Sequence, residues 1–195
     1  MIFRKTKQHE DAFLEQAIRG ERAGLEYLVG AYKDLAYTVA FRIVMNKEDA
    51  EEVVQDSFLR AFASLEKFKR ASKFSTWLFR IVYNTALTKV KDKKIQLSEL
   101  GNPLDDHAFD ISDHTEYDLL KKGEREKFVG LALNRLSQED HLVISYFYIG
   151  EKSISEISEI LGLKTSAIKM RLLRGRKQLE AELKILLNTE IKDLL

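Results

Sequence analysis

A single proline, Pro103, stands in a chain of 195 residues whose apolar side chains recur at three- and four-residue spacing almost from end to end. That is the helical period, because 3.6 residues per turn bring a side chain back to one face after three or four steps. Proline removes a backbone donor and clashes with the preceding turn, so its rarity leaves long helices uninterrupted. The expectation is an all-α protein. Apolar residues at 45% and charged residues at 32% give soluble cores enough material and surfaces enough charge.

The periodic segments fall into two groups. Asp11–Arg19 reads as a short helix, and Gly24–Met45 as a longer one burying Leu25, Leu28, Tyr32, Ala36, Val39 and Ile43. Asn46 is placed to cap a third helix, Lys47–Leu65, with Glu48 and Asp49 in its first turn. A fourth runs from Ser75 to Val90. Ile95–Leu120 holds the only proline, a Gly-Asn-Pro turn and no sustained period, and reads as a linker. The helical pattern resumes near Lys121. Ser137 opens one helix, and Ser153 opens another with Glu156 at capping-box spacing. Gly162 ends that helix and Thr165 or Ser166 starts the last, which is a helix-turn-helix arrangement. The fold expected is two helical domains, residues 1–94 and 121–195, joined by a flexible acidic linker over 95–120.

Charge is segregated along the chain. Lys67–Lys94 carries nine basic residues against one acid, Ile95–Leu120 seven acids and no Lys or Arg, and Lys164–Lys177 six basic residues and no acid. Two basic segments flanking an acidic one point to a polyanionic partner more than an evenly solvated surface does. No cysteine is present, which rules out disulfides and thiolate chemistry and suits a reducing cytoplasm. The first residues have no signal-peptide core, and no apolar run approaches the roughly 18 residues of a membrane span. A cytoplasmic protein without membrane insertion is expected.

In 165-TSAIKMRLLRGRKQL-179 a helical wheel puts Ile168, Leu172, Gly175 and Leu179 on the inner face. Ser166, Met170, Leu173, Arg174 and Lys177 face outward, flanked by Lys169, Arg171 and Arg176. This composition suits a DNA major groove. The cations reach phosphates, Arg174 can pair with a guanine edge, and Met170 and Leu173 can meet thymine methyls. The alternative is that Met170 and Leu173 pack on another protein.

With these residues in place, the chain resembles the extracytoplasmic-function (ECF) sigma factors, the small two-domain class of RNA polymerase specificity subunits. The resemblance covers roughly residues 20–94 and 125–182. It is carried by 49-DAEEVVQDSFLRAF-62, 74-FSTWLFRIVYNTA-86, 133-LNRLSQEDHLVISYFYIGEKSISEISEILGL-163 and the last helix. It implies a region-2-like domain that binds core polymerase and melts the −10 element, and a region-4-like domain that reads the −35 element with Ser166, Lys169, Met170, Arg171, Leu173, Arg174 and Lys177.

Glu52, Gln55, Asp56 and Leu59 lie opposite the core of their helix, an apolar anchor with a polar surround. The resemblance gives them to core RNA polymerase, while a solvated face with one stray leucine is the plainer reading. In 67-KFKRASKFSTWLFR-80 aromatics alternate with cations, as stacking on unpaired bases requires. Here the resemblance implies that Phe68, Lys73, Trp77, Phe79, Arg80 and Asn84 meet melted promoter DNA, while Leu78 and Ile81 are assigned to the core and Phe74 to the core rather than to contact. It also implies an anti-sigma factor as partner.

Some positions depart from the family pattern. Ala167 stands where Thr is common and Met170 where a small polar residue is, so a −35 preference cannot be transferred.

Two other classes of function compete with this reading. An enzyme lacks support: His9, His107, His114 and His141 are dispersed, no phosphate loop is present, and neither a metal nor a cofactor is expected. His107 and His114 lie among linker aspartates, where a solvated run is the plainer reading. A dimeric repressor would use the helix-turn-helix alone and leave the aromatic-basic segment unexplained. The acidic linker could fold onto the basic faces, or thread the polymerase's basic channel.

Overall fold

The computed structural model describes the backbone of residues 2–99 and 124–193, with side chains over 9–96 and 128–187. No strand occurs among the described residues. The chain divides into two compact units, Met1–Val90 and Lys91–Leu195. Pro103, His107, His114 and residues 100–120 of the expected linker lie outside the described residues.

The first unit holds α1 (Ile2–Ile18), α2 (Arg22–Val44), α3 (Lys47–Ala63), a 3₁₀ turn (Leu65–Lys67) and the start of α4 (Phe74–Glu99). The helix expected over Asp11–Arg19 begins nine residues earlier, in a stretch too polar to show a stripe. It docks on α2 through Leu14 and Ala17, with the Phe13 ring stacked on Tyr27 at 4.2 Å between centroids. Met45 closes α2 in the left-handed conformation, φ 55°, its N–H donating to the Phe41 carbonyl. Asn46 then caps α3 as expected, its side chain accepting from the Asp49 N–H at 2.8 Å.

Along α3, Ala50, Val53, Phe58 and Ala61 are buried. Ser57 joins them at the core face, its hydroxyl satisfied by the Val53 carbonyl at 2.6 Å. That local bond is what lets a polar residue occupy an apolar stripe. The helix stops at Ala63 and the buried Leu65 belongs to the following 3₁₀ turn. α4 passes its expected end at Val90 and runs on through Glu99, into the segment read as linker. Charge marks a polar segment but does not by itself end a helix.

The second unit holds α5 (Glu124–Asn134), α6 (Gln138–Tyr148), α7 (Ile154–Leu161) and α8 (Thr165–Asp193). α6 is buried on nearly every side, from Asp140 to Tyr146. His141 is one of its core residues, Nδ1 lying 2.9 Å from the Leu133 carbonyl oxygen, which fits a structural role. Ser153 and Glu156 form the reciprocal capping box at the start of α7. Gly162 ends it at φ 67°, a conformation that costs glycine nothing. Ser153→Ala is expected to cost about 1 kcal/mol, read as a lower urea midpoint with unchanged slope.

Candidate nucleic-acid interface

The first surface is built where the 3₁₀ turn leads into α4. Phe74, Leu78, Val82 and Ala86 face the core, and the opposite side of the helix is exposed. Trp77, Arg80, Asn84 and Leu87 follow one another at steps of three, four and three, so they form one outward stripe. Trp77 is half-buried, Arg80 and Asn84 exposed. Phe68 reaches back from the preceding loop to lie 5.0 Å from the Trp77 ring, tilted by 34°. Lys73 is exposed at the helix start. Trp77, Arg80 and Asn84 therefore share one outward stripe, with Phe68 against the tryptophan and Lys73 one turn before it.

Phe79 does not. It is 1% exposed and meets Tyr32 edge-on at 5.9 Å, so its assignment to melted DNA is corrected to a core role. Two residues from Trp77 means about 200° around the helix, which carries its ring inward. Tyr32 also donates to the Glu10 carboxylate of α1. Burial first, and this carboxylate second, push the Tyr32 hydroxyl above the ordinary tyrosine range, so it stays a neutral donor.

The loop between the 3₁₀ turn and α4 holds Arg70 at φ 55°, and its guanidinium pairs with Glu15 of α1. Not every cation of this segment faces outward. The Lys89 ammonium donates to Glu52 at 2.6 Å, with Asp49 at 3.7 Å, and the hydrogen bond to Glu52 raises its pKa.

A second surface is a groove of about 800 Å³ between α2 and α3. Glu52, Gln55 and Leu59 line it from α3, and Leu59 is 63% exposed. Asp56 is half-buried and lies outside the groove lining. Lys33, Tyr37 and Phe62 also line the groove and were missed from sequence. For Tyr37 the signal was its place on α2 off the buried stripe; nothing in the sequence paired it with α3.

The third surface is the outer face of α8. Ser166, Lys169, Met170, Leu173, Arg174 and Lys177 are all exposed, Met170 at 64%. Ile168 and Leu172 are buried beneath them as the wheel predicts. Gly175 faces α6, where a Cβ would stand 2.9 Å from Ile144 Cγ1, so the absence of a side chain lets the two helices approach closely. Three arginines of α8 have partners in α6, two of them carboxylates. Arg171 is half-buried with Nη1 3.5 Å from Glu139. Arg174 makes a two-point ion pair with Asp140, and those hydrogen bonds raise its pKa. Arg176 lies over the rings of Phe147 and Tyr148, 5.2 and 5.5 Å from their centroids.

Comparison with known proteins accounts for both units. Residues 28–95 match the family Sigma-70 region 2, and residues 129–179 match Sigma-70 region 4. The ECF RNA polymerase sigma factor SigW of Bacillus subtilis is 30% identical over 177 residues, spanning 88% of this chain and 95% of SigW. The ECF RNA polymerase sigma-E factor of Haemophilus influenzae is 26% identical over 186 residues, spanning 91% and 97%. Among solved structures, RpoE of Bartonella quintana in complex with the anti-sigma factor NepR shares the fold, with TM-score 0.63 and 21% identity over 82% of this chain and 96% of that one. CnrH, solved with the cytosolic domain of CnrY, gives 0.58 and 22% over 89% and 96%.

These matches define a two-domain sigma-70-type protein. More narrowly, the chain belongs to the ECF sigma factors. It directs core RNA polymerase to promoters in transcription initiation, and sigma factors are not catalysts in themselves. No described helix is long and apolar enough to cross a membrane.

Proposed function

We propose that the outward stripe of α4 captures the melted −10 strand, that the outer face of α8 reads the −35 duplex, and that the α2–α3 groove seats core polymerase. The observation that carries this is the alignment of Trp77, Arg80 and Asn84 on one exposed face with Phe68 against the tryptophan. Aromatic faces stack on unpaired bases of any sequence, Arg80 can track phosphate, and Asn84 offers donors and an acceptor to a base edge. In α8, Met170 and Leu173 supply apolar contact for thymine methyls, with Ser166, Lys169, Arg171, Arg174 and Lys177 around them.

At the groove, Leu59 is the anchor and Glu52 and Gln55 the polar surround, with Asp56 beside the lining rather than in it, facing the coiled coil of the largest polymerase subunit. Leu59→Arg is expected to weaken binding to core polymerase at least tenfold, on the order of 1.4 kcal/mol. Titration of labelled protein into core enzyme reads this, and unchanged helicity separates it from misfolding. Wild-type affinity in this variant would remove the groove from the interface.

The division into residues 1–94 and 121–195, with an acidic connector over 95–120, belongs to the same proposal. So do a cytoplasmic location, no catalytic activity of its own, and activity governed by a stress or envelope signal. RpoE of Bartonella quintana was solved with an anti-sigma factor, and a partner of that class is proposed here. Run-off transcription with purified core polymerase on promoter-region fragments from the source genome tests the whole reading. New discrete start sites that depend on the protein support it. Duplex binding without new starts would favour a repressor.

A further inference from the structure

We propose that Asp140 is a positioning residue for promoter reading: it grips one edge of the Arg174 guanidinium so that the other edge stands ready for a guanine of the −35 duplex. The proposal rests on α8 being the duplex-reading helix.

A guanidinium offers two bidentate edges, one formed by Nε–H and Nη2–H, the other by Nη1–H and the remaining Nη2–H. Asp140 occupies the first. Nε donates to Oδ2 at 2.5 Å and Nη2 to Oδ1 at 2.7 Å. The carboxylate is itself immobilised: its side chain is 1% exposed, in the first turn of α6, with the Asp140 N–H held by the Ser137 hydroxyl. Gly175 brings it within reach, since a Cβ there would lie 2.9 Å from Ile144 Cγ1 and 3.5 Å from Asp140 Cβ.

The Arg174 side chain nevertheless remains 60% exposed, beside the exposed Leu173 and Lys177. Its unengaged fork has the donor spacing that guanine O6 and N7 accept. A fork already held in one orientation gives up less freedom on binding than an arginine that must be ordered by the DNA. Arg171 differs: its partner Glu139 sits on the surface, and one contact of 3.5 Å fixes no plane.

The test is selection by holoenzyme from promoter duplexes randomised across the −35 element. The wild-type protein is expected to prefer guanine at one position by roughly tenfold over other bases, and Arg174→Lys to lose that preference. Asp140→Asn, which keeps the volume but removes one acceptor, should lose it at the same position. Other positions and the salt dependence should be unchanged. Guanine preference intact in Asp140→Asn overturns the proposal. So does a wild-type preference at other positions only, none of it sensitive to Arg174→Lys. No preference anywhere across the element would instead sink the duplex-reading role of α8.

Because loss of the carboxylate can also unsettle α6, exchange of the Arg174 Nε–H in the wild-type full-length chain gives a second measurement by NMR. Exchange much slower than for a solvent-exposed arginine is expected. Exchange at the exposed rate overturns the proposal.

Discussion

Phe79→Ala is expected to destabilise the first unit by about 3–5 kcal/mol, a large share of the roughly 5–15 kcal/mol that holds a typical domain folded. The ring is 1% exposed and edge-on to Tyr32, and Leu78 and Val82 of α4 are buried as well. Truncation leaves a cavity that the packed helices cannot close, so the cost exceeds the transfer of the ring alone. Thermal or urea unfolding followed by circular dichroism checks this. Phe79→Leu, which refills most of the volume, should recover much of the loss. If Phe79→Ala instead melted like wild type while promoter opening failed, Phe79 would be a contact residue after all.

Two residues away, Trp77→Ala has the opposite signature. Stability changes little by comparison, because the indole is half-buried and its near neighbours are the rings of Phe68 and Phe74. Open-complex formation, read as permanganate reactivity of unpaired thymines, should fall by one to two orders of magnitude, following the roughly 1–3 kcal/mol of one base–aromatic stack. Holoenzyme binding to −35 duplex alone should be unaffected, since α8 belongs to the other unit. Trp77→Phe retains a stacking face and should keep most of the activity. Wild-type opening by Trp77→Ala would remove this stripe from the melted-strand site.

The contrast between these two aromatics marks the limit of what was legible. Density of aromatics and cations in 67-KFKRASKFSTWLFR-80 singled out the segment but could not sort its members into outward and inward positions. The helix axis sorts them: 77, 80 and 84 face out while 78, 79 and 82 face in. Ser57 was hidden for a different reason. A serine reads as polar until a backbone carbonyl one turn away satisfies it, and only then can it lie in the core. Capping signals were read correctly, because Asn46, Ser153 and Gly162 act on backbone groups within a few residues of themselves.

Local and periodic information thus sufficed for the all-helical fold, the helix-turn-helix, the family and the outward placing of Met170 and Leu173. The fold, the helix-turn-helix and the outward placing follow from the 3.6-residue repeat and from caps, which need no distant partner, while the family was legible through the resemblance of whole motifs such as 49-DAEEVVQDSFLRAF-62 and 74-FSTWLFRIVYNTA-86. Tertiary structure decided what depends on residues far apart in the chain. It brought Tyr37 of α2 opposite Leu59 of α3 to make a groove, and turned Lys89 toward Glu52. It also set Asp140 against Arg174, thirty-four residues on. An ion pair or a groove is a meeting of two surfaces, and which surfaces meet is settled by helix packing that no single stretch of sequence contains.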